Sequence, residues 1–484
     1  MTIRKIEVLL IILVITTIGF LLSRHYFFLD EPNILWEIKQ GVVWENFFKR
    51  FISDGRPVYG WIVIKGISFA ESLSGLRYLR IICVILTFFF CYLIYMFLKK
   101  RSVDEVPAFI IAALVFCLPG FSIFMIWSEC FPQHLSSILS FCAGVSTFRV
   151  FGWMLKEERI SKAKENLYIA FALLLQIFSL LNYQGTSLAF ILPGFFALLL
   201  SSTISIPLKM RFTKYYILIF FLSLGLYYLV YRSLLANYHI EAVSRAKIGS
   251  NVLSKVKWFS NIFFEASALH LLLFKAFLLR QLFSFFVFFL IIRDAYKKRW
   301  ADLFFLLLFS ILSFLPHLLI GESWGASRNF VLMSVLITFY SVIRCVELTS
   351  FFKTQTALFL TLPFIAISFL NIKYAFVDPV GNDYDNLKAK VAALPVLKQD
   401  TVKVLYTVPP FNVHSEKSFL RSFTDEFNVS PFSFEWPIAP AIKCFYSKVH
   451  PSLSTTQIDA KLTIKPLTEK SDTINSIIFD LNYK

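Results

Sequence analysis

The residues best suited to chemistry gather in the first polar stretch of the chain. Asp30 and Glu31 are adjacent carboxylates that follow closely on an apolar run ending near Leu22. Transfer of a group to a hydroxyl needs a base to take the hydroxyl proton, or a carboxylate to orient it. Two neighbouring carboxylates can divide that work, with Asp30 the first choice for base and Glu31 the second. They can also share a divalent metal, which takes oxygen ligands; a solvated loop pair is the plain alternative. Downstream, Asp54-Gly55-Arg56-Pro57 reads as a turn, because Asp-Gly favours one and Pro57 restricts Arg56 to an extended conformation. An arginine fixed on a turn presents a planar fork that matches phosphate oxygens. Read structurally, the same residues are a helix-capping turn.

Further candidates lie at other polar breaks between apolar runs. Arg280 falls inside an apolar stretch expected to cross the membrane, about 18 Å from its inner end at 1.5 Å per residue. An ionisable group at that depth faces a cavity and a partner, and a phosphate is one candidate, with Lys275 nearby to help. Snorkelling to the interface is the alternative. Glu322 to Asn329 is a polar loop that adds Arg328 as another phosphate binder, Trp324 to stack on a sugar ring and Glu322 as a polar contact, with His317 just before it. Tyr183-Gln184 and His134, the latter following Glu129 and Pro132, sit at other helix ends as substrate contacts. No glycine-rich phosphate loop is present, so a nucleotide-linked donor is not indicated.

Composition says what must position these groups. Of 484 residues, 57% are hydrophobic and 16% charged, and 57 are Phe. Soluble domains are about 45–50% apolar and about 25% charged, so a bilayer is the environment in which this chain hides its apolar surface. Apolar runs of spanning length predict eleven transmembrane helices, near 6–22, 80–98, 107–120, 135–155, 167–182, 187–205, 215–235, 273–292, 301–320, 329–349 and 354–374. The first is read as a retained helix, since no small-residue cleavage site follows it. The net charge of +17 does not indicate nucleic acid: Lys and Arg gather in short loops, as in Lys99-Lys100-Arg101, Lys209/Arg211/Lys214 and Lys297-Lys298-Arg299. With Arg4 and Lys5, these loops mark the cytoplasmic side and put the C-terminus outside. External stretch 23–79 mixes aromatics with charge, as interfacial helices do. Residues 1–375 are therefore expected to form the membrane domain, and 376–484 a small α/β periplasmic domain with strands at Val402–Val408 and Ser476–Leu481 and a helix at Asp383–Leu394. In that tail, Thr424 to Phe427 and Trp436-Pro437 are candidate sugar contacts. Seven Cys without regular spacing are not a disulfide framework, although Cys130 and Cys444 both fall in external segments.

The acidic pair in Phe27-Phe28-Leu29-Asp30-Glu31, followed by Gly55-Arg56-Pro57, resembles the Gtr-type O-antigen glucosyltransferases. These belong to the type C glycosyltransferases, multi-helix membrane enzymes that use polyprenyl-phosphate sugars. The motif match covers residues 26–61 and the general layout covers the whole chain. Glu31 departs from the family's usual Asp-Asp. The resemblance implies an inverting hexosyltransferase of the bacterial inner membrane, moving glucose from undecaprenyl phosphate to lipopolysaccharide O-antigen on the periplasmic face. It also implies a flippase and a donor-synthesising glucosyltransferase as functional companions. The alternatives are the same fold with another lipid-linked sugar, such as aminoarabinose for lipid A, an O-antigen polymerase, or a non-enzymatic lipid or sugar transporter.

Overall fold

The computed structural model describes every residue except 1–2, 156–157, 159, 202, 244–251, 320–324, 349–353, 396–400, 412, 417, 425, 468–475 and 482–484. Glu322, Trp324 and Asp425, all singled out from the sequence, lie outside the described residues. The chain is mostly helical, as its apolar runs require. Among the described residues, six helices are long and apolar enough to cross a membrane: Leu76–Lys100, Ser128–Leu155, Lys162–Asn182, Ile206–Tyr238, Ser327–Leu348 and Thr361–Ala392. A seventh candidate is the pair Glu105–Phe116 and Pro119–Ile126, bent by 54°. Pro119 explains the bend, since it cannot continue the preceding helix but suits the first turn of the next.

Against the eleven expected spans, the described residues show six or seven, and local features account for three of the runs. Run 187–205 divides into a 3-10 segment, Thr186–Ile191, and a short helix, Leu192–Leu200. Run 301–320 breaks after Leu312 and resumes as Leu315–Leu319. Run 273–292 begins its helix only at Phe277 and continues to Tyr296, with Arg280, Arg293 and Asp294 along its length. Arg280 thus stands in the first turn of that helix, about 24 Å from its C-terminal end at the helical rise, and is not deep within it. At the opposite end of the same helix, Asp294 is fully buried and accepts from Arg344 Nε at 2.6 Å, while Arg344 Nη2 reaches Asp302 at the same distance. Lys209 joins the cluster through Asp302 at 3.6 Å, tying four helices together.

Stretch 23–79, expected to be external, is helical in pieces: Glu31–Gln40, a π segment Trp44–Phe48, Lys49–Ser53 and Pro57–Ala70. The last apolar helix runs without a break through the π segment Lys373–Val377 into Asp378–Ala392, so residues 375 and 376 lie inside continuous helix. Asp383 does not cap a helix there; it is buried within it and bonded to His414 and Ser430. The tail carries a small parallel sheet of β1 (Val402–Tyr406), β2 (Leu462–Pro466) and β3 (Ser476–Phe479) in the order β2-β1-β3. Parallel neighbours need a crossover. Between β1 and β2 it includes the helices Ile438–Val449 and Thr455–Lys461, the second begun by a Ser454/Gln457 capping box. The helix Ile438–Val449 packs on Glu31–Gln40, with Lys39 Nζ 3.1 Å from Ser447 Oγ. Arg24 completes the clamp by donating to Asn382 and pairing with Asp378 at 3.7 Å. Cys130 and Cys444 are buried, free thiols and form no bridge.

Candidate functional site

The turn before helix Glu31–Gln40 is tight: Leu29 has φ of +36°, and Asp30 takes the cap position of that helix. That turn sends the two carboxylates to different surroundings. Glu31 is completely buried. One of its oxygens accepts from the Phe28 N–H at 2.8 Å and from Arg80 Nη2 at 3.0 Å. The other accepts from the Ser128 N–H at 2.7 Å and from the Ser128 hydroxyl. Arg80 is equally buried, donates also to the carbonyls of Ile126 and Tyr26, and lies 3.8 Å from the Tyr26 ring centre. Burial pushes the Glu31 carboxyl up, and Arg80 with three hydrogen bonds pulls it back. A carboxylate engaged on both oxygens is built to hold elements together. Asp30, half-buried beside it, is the member of the pair left at the surface of the site.

Ser128 hands the geometry on to its neighbour Glu129, which is 5% exposed. Glu129 Oε1 accepts from the Tyr59 hydroxyl at 3.1 Å, while Oε2 is buried without a hydrogen-bond partner. Asp30 is close enough for its charge to act on Glu129. The rings of Tyr59 and Tyr183 are 5.7 Å apart, and Arg56 lies over Tyr183 at 4.6 Å. Gly55, with φ of +77°, provides the left-handed turn that Asp-Gly led one to expect, and Pro57 opens helix Pro57–Ala70. Arg56 Nε donates to Gln184 Oε1 at 3.2 Å, and Gln184 Nε2 donates back to the Gly55 carbonyl at 2.8 Å. His317 feels the charges of both Arg56 and Arg328, and neither ring nitrogen has a hydrogen-bond partner. Arg328 lies 5.3 Å over the ring of Trp127. A half-buried carboxylate, Asp30, a buried one, Glu129, two guanidiniums and the rings of Tyr59, Tyr183 and Trp127 thus gather near the ends of membrane-length helices.

Of the residues chosen from sequence, Asp30, Arg56, Tyr183, Gln184, His317 and Arg328 share this region. Glu31 is adjacent but locked in its ion pair. Arg280 and Lys275 are not part of the group: Lys275 Nζ bonds the Ser415 carbonyl, and Arg280 lies over Phe277 with Arg421 as its charged neighbour. His134 does not face a cavity; it is buried between Phe121 and Phe124, with the Thr87 hydroxyl 3.2 Å from its ring nitrogens. Sequence reasoning noticed Glu129 without giving it a role, and missed Arg80, Ser128, Tyr59 and Trp127. Arg80 did carry a signal, since it is an ionisable residue in an otherwise apolar span.

Compared with known protein families, curated proteins and solved structures, the chain matches none. Among the described residues, no group of three or more His, Cys, Asp or Glu is placed to hold a metal ion. Both oxygens of Glu31 already accept hydrogen bonds, so the acidic pair is not arranged to share a metal ion.

The tail reaches the same region. Glu426, expected as a sugar contact, is fully buried and accepts from the Ser327 N–H at 2.7 Å, the Ser327 hydroxyl at 2.6 Å and Arg328 Nη1 at 3.1 Å. It therefore caps the positive end of helix Ser327–Leu348 and fixes Arg328. Trp436, the other expected contact, is about half exposed and packs on Phe434. Glu426→Ala is expected to cost about 1–3 kcal/mol, the cost of leaving buried donors unsatisfied, read as a lower melting temperature of the purified protein. An unchanged melting temperature would deny Glu426 that role.

Proposed function

We propose that this chain is a membrane glycosyltransferase. It transfers a hexose, glucose by the resemblance, from undecaprenyl phosphate to a hydroxyl of lipopolysaccharide O-antigen at the periplasmic face of a bacterial inner membrane. The observation that carries the reading is the convergence of Asp30 and Glu129 with Arg56 and Arg328 around Tyr59 and Tyr183, at the ends of apolar helices. The acceptor hydroxyl oxygen attacks the anomeric carbon as the bond to the phosphate oxygen breaks, inverting the centre. Asp30 takes the hydroxyl proton, and Glu129, held by Tyr59, orients the acceptor. The phosphate leaves with its negative charge held by Arg56 and Arg328, preorganised donors of the kind that dominate such catalysis. The ring faces of Tyr183 and Trp127 hold these two guanidiniums in place. The tail touches the first external stretch through Arg24 and Lys39, which supports placing both in the same compartment. With the loop charges, that compartment is the periplasm, and the N-terminus is cytoplasmic.

Arg56 gives the test. Lysine keeps the charge but loses the planar fork and its bond to Gln184. Purified protein is titrated with a polyprenyl-phosphate hexose. Arg56→Lys is expected to weaken binding by about tenfold and Arg56→Ala by more, about 2 kcal/mol or beyond for a lost charge-assisted bond. Equal binding by wild type and both variants would remove Arg56 from the donor site.

A further inference from the structure

A cavity lined by none of these site residues lies against helix Glu31–Gln40. Its volume is about 620 Å³, within the range of about 300–1,000 Å³ typical of small-molecule sites. It is walled on one side by Lys39 and by the turn between helices Pro57–Ala70 and Leu76–Lys100, and on the other by the tail helices Asp378–Ala392 and Ile438–Val449. Three cations line it: Lys39, Arg77 and Lys448. Their bonds go to neutral hydroxyls, Lys39 to Ser447 at 3.1 Å, Arg77 to Tyr78 at 3.1 Å and Lys448 to Ser74 at 3.3 Å. The one carboxylate of the lining, Glu71, is exposed and forms no ion pair with them among the described residues. The positive surplus is felt nearby: burial first, and then the charges of Arg77, Lys388 and Lys448 against the opposing Asp385, hold His25 below its usual range.

Two observations say what kind of anion fits. Part of the wall is apolar, with Leu35, Leu73 and Phe445 buried and Phe69 77% exposed, beside the hydroxyls of Ser72, Ser74, Tyr78 and Tyr384. The membrane-length helix Leu76–Lys100 also starts from within the lining, which sets the cavity at the level where a bilayer carries its headgroups. We propose that this cavity binds the phosphate of an anionic lipid headgroup, with Arg77 and the two lysines on the phosphate and Phe69 against the lipid's apolar body. The bound lipid bridges the first external stretch and the tail, so it braces the tail on the membrane. This inference stands on its own residues and does not depend on the catalytic reading. A free phosphate would share the cation contacts but would leave the apolar wall unused.

The experiment uses full-length protein in nanodiscs of phosphatidylglycerol or phosphatidylcholine, and in detergent with inorganic phosphate. Lipid retained through detergent extraction is measured by native mass spectrometry, and thermal unfolding is followed alongside. Wild type is expected to retain phosphatidylglycerol at least about tenfold better than phosphatidylcholine, and to melt higher with it. Lys39→Gln/Arg77→Gln/Lys448→Gln is expected to lose that preference, whereas Lys49→Gln/Lys65→Gln/Lys465→Gln, with the same charge removed from exposed positions elsewhere, keeps it. Should the first variant fold poorly, Arg77→Lys and Arg77→Gln serve instead, the lysine variant retaining more lipid. The proposal is overturned by equal retention of the two lipids, by equal loss in both triple variants, or by protection from inorganic phosphate that matches protection from phosphatidylglycerol.

Discussion

Arg80→Met is expected to destabilise the folded protein by about 3–5 kcal/mol, the cost of stripping one partner from a buried ion pair. The methionine fills similar space, so the loss is electrostatic. Glu31 would keep its bonds to Phe28 and Ser128 but face no cation in a fully buried place. Adding Glu31→Gln is expected to restore much of the stability, because replacing both partners of a buried pair is often close to neutral. Unfolding of the purified single and double variants, read as a thermodynamic cycle, measures the coupling. If Arg80→Met melts like wild type, the pair does not anchor the site as the geometry implies.

Asp30→Asn is expected to lower sugar transfer by about a hundredfold or more, the usual penalty for losing a general base, with folding intact. Asp30 is half-buried, so the amide fits where the carboxylate stood. Glu129→Gln keeps an oxygen for the Tyr59 hydroxyl but removes the ionisable carboxyl, and is expected to reduce transfer by at least about tenfold. Glu31→Gln is expected to behave differently, with its main defect in stability. Initial rates and melting temperatures of the three variants separate the roles. Near-normal rates for both Asp30→Asn and Glu129→Gln would remove the carboxylates from the chemistry, and a stable but inactive Glu31→Gln would move the base to Glu31.

The parts of this fold that follow local rules were legible before the structure. The apolar runs marked the long helices, and Asp54-Gly55-Arg56-Pro57 does form a turn leading into a helix. Val402 to Tyr406 is a strand, because a short β-branched run between polar segments has few other uses. What failed depended on partners far away in sequence. Hydropathy counts an apolar run without knowing whether it breaks, so Leu312 to Leu315 and Ile191 to Leu192 passed as single spans. Asp30 and Glu31 look equivalent in the chain; Arg80 and Ser128, distant in sequence, make one of them structural. Glu426 read as a sugar contact because nothing local shows that a helix N-terminus needs it. His134 read as a cavity residue because Pro132 suggested a break, whereas Pro132 sits in the first turn, where a helix tolerates it.

The most direct measurement is donor use by the purified protein in proteoliposomes, with isolated O-antigen-bearing lipopolysaccharide as acceptor. Polyprenyl-phosphate glucose, labelled in the sugar, and a nucleotide glucose labelled the same way are supplied separately. Expected is transfer of label from the lipid-linked sugar alone, with inversion at the anomeric carbon and loss of the signal in Asp30→Asn. Transfer from the nucleotide sugar, or lipid-donor transfer that Asp30→Asn leaves unchanged, would contradict it.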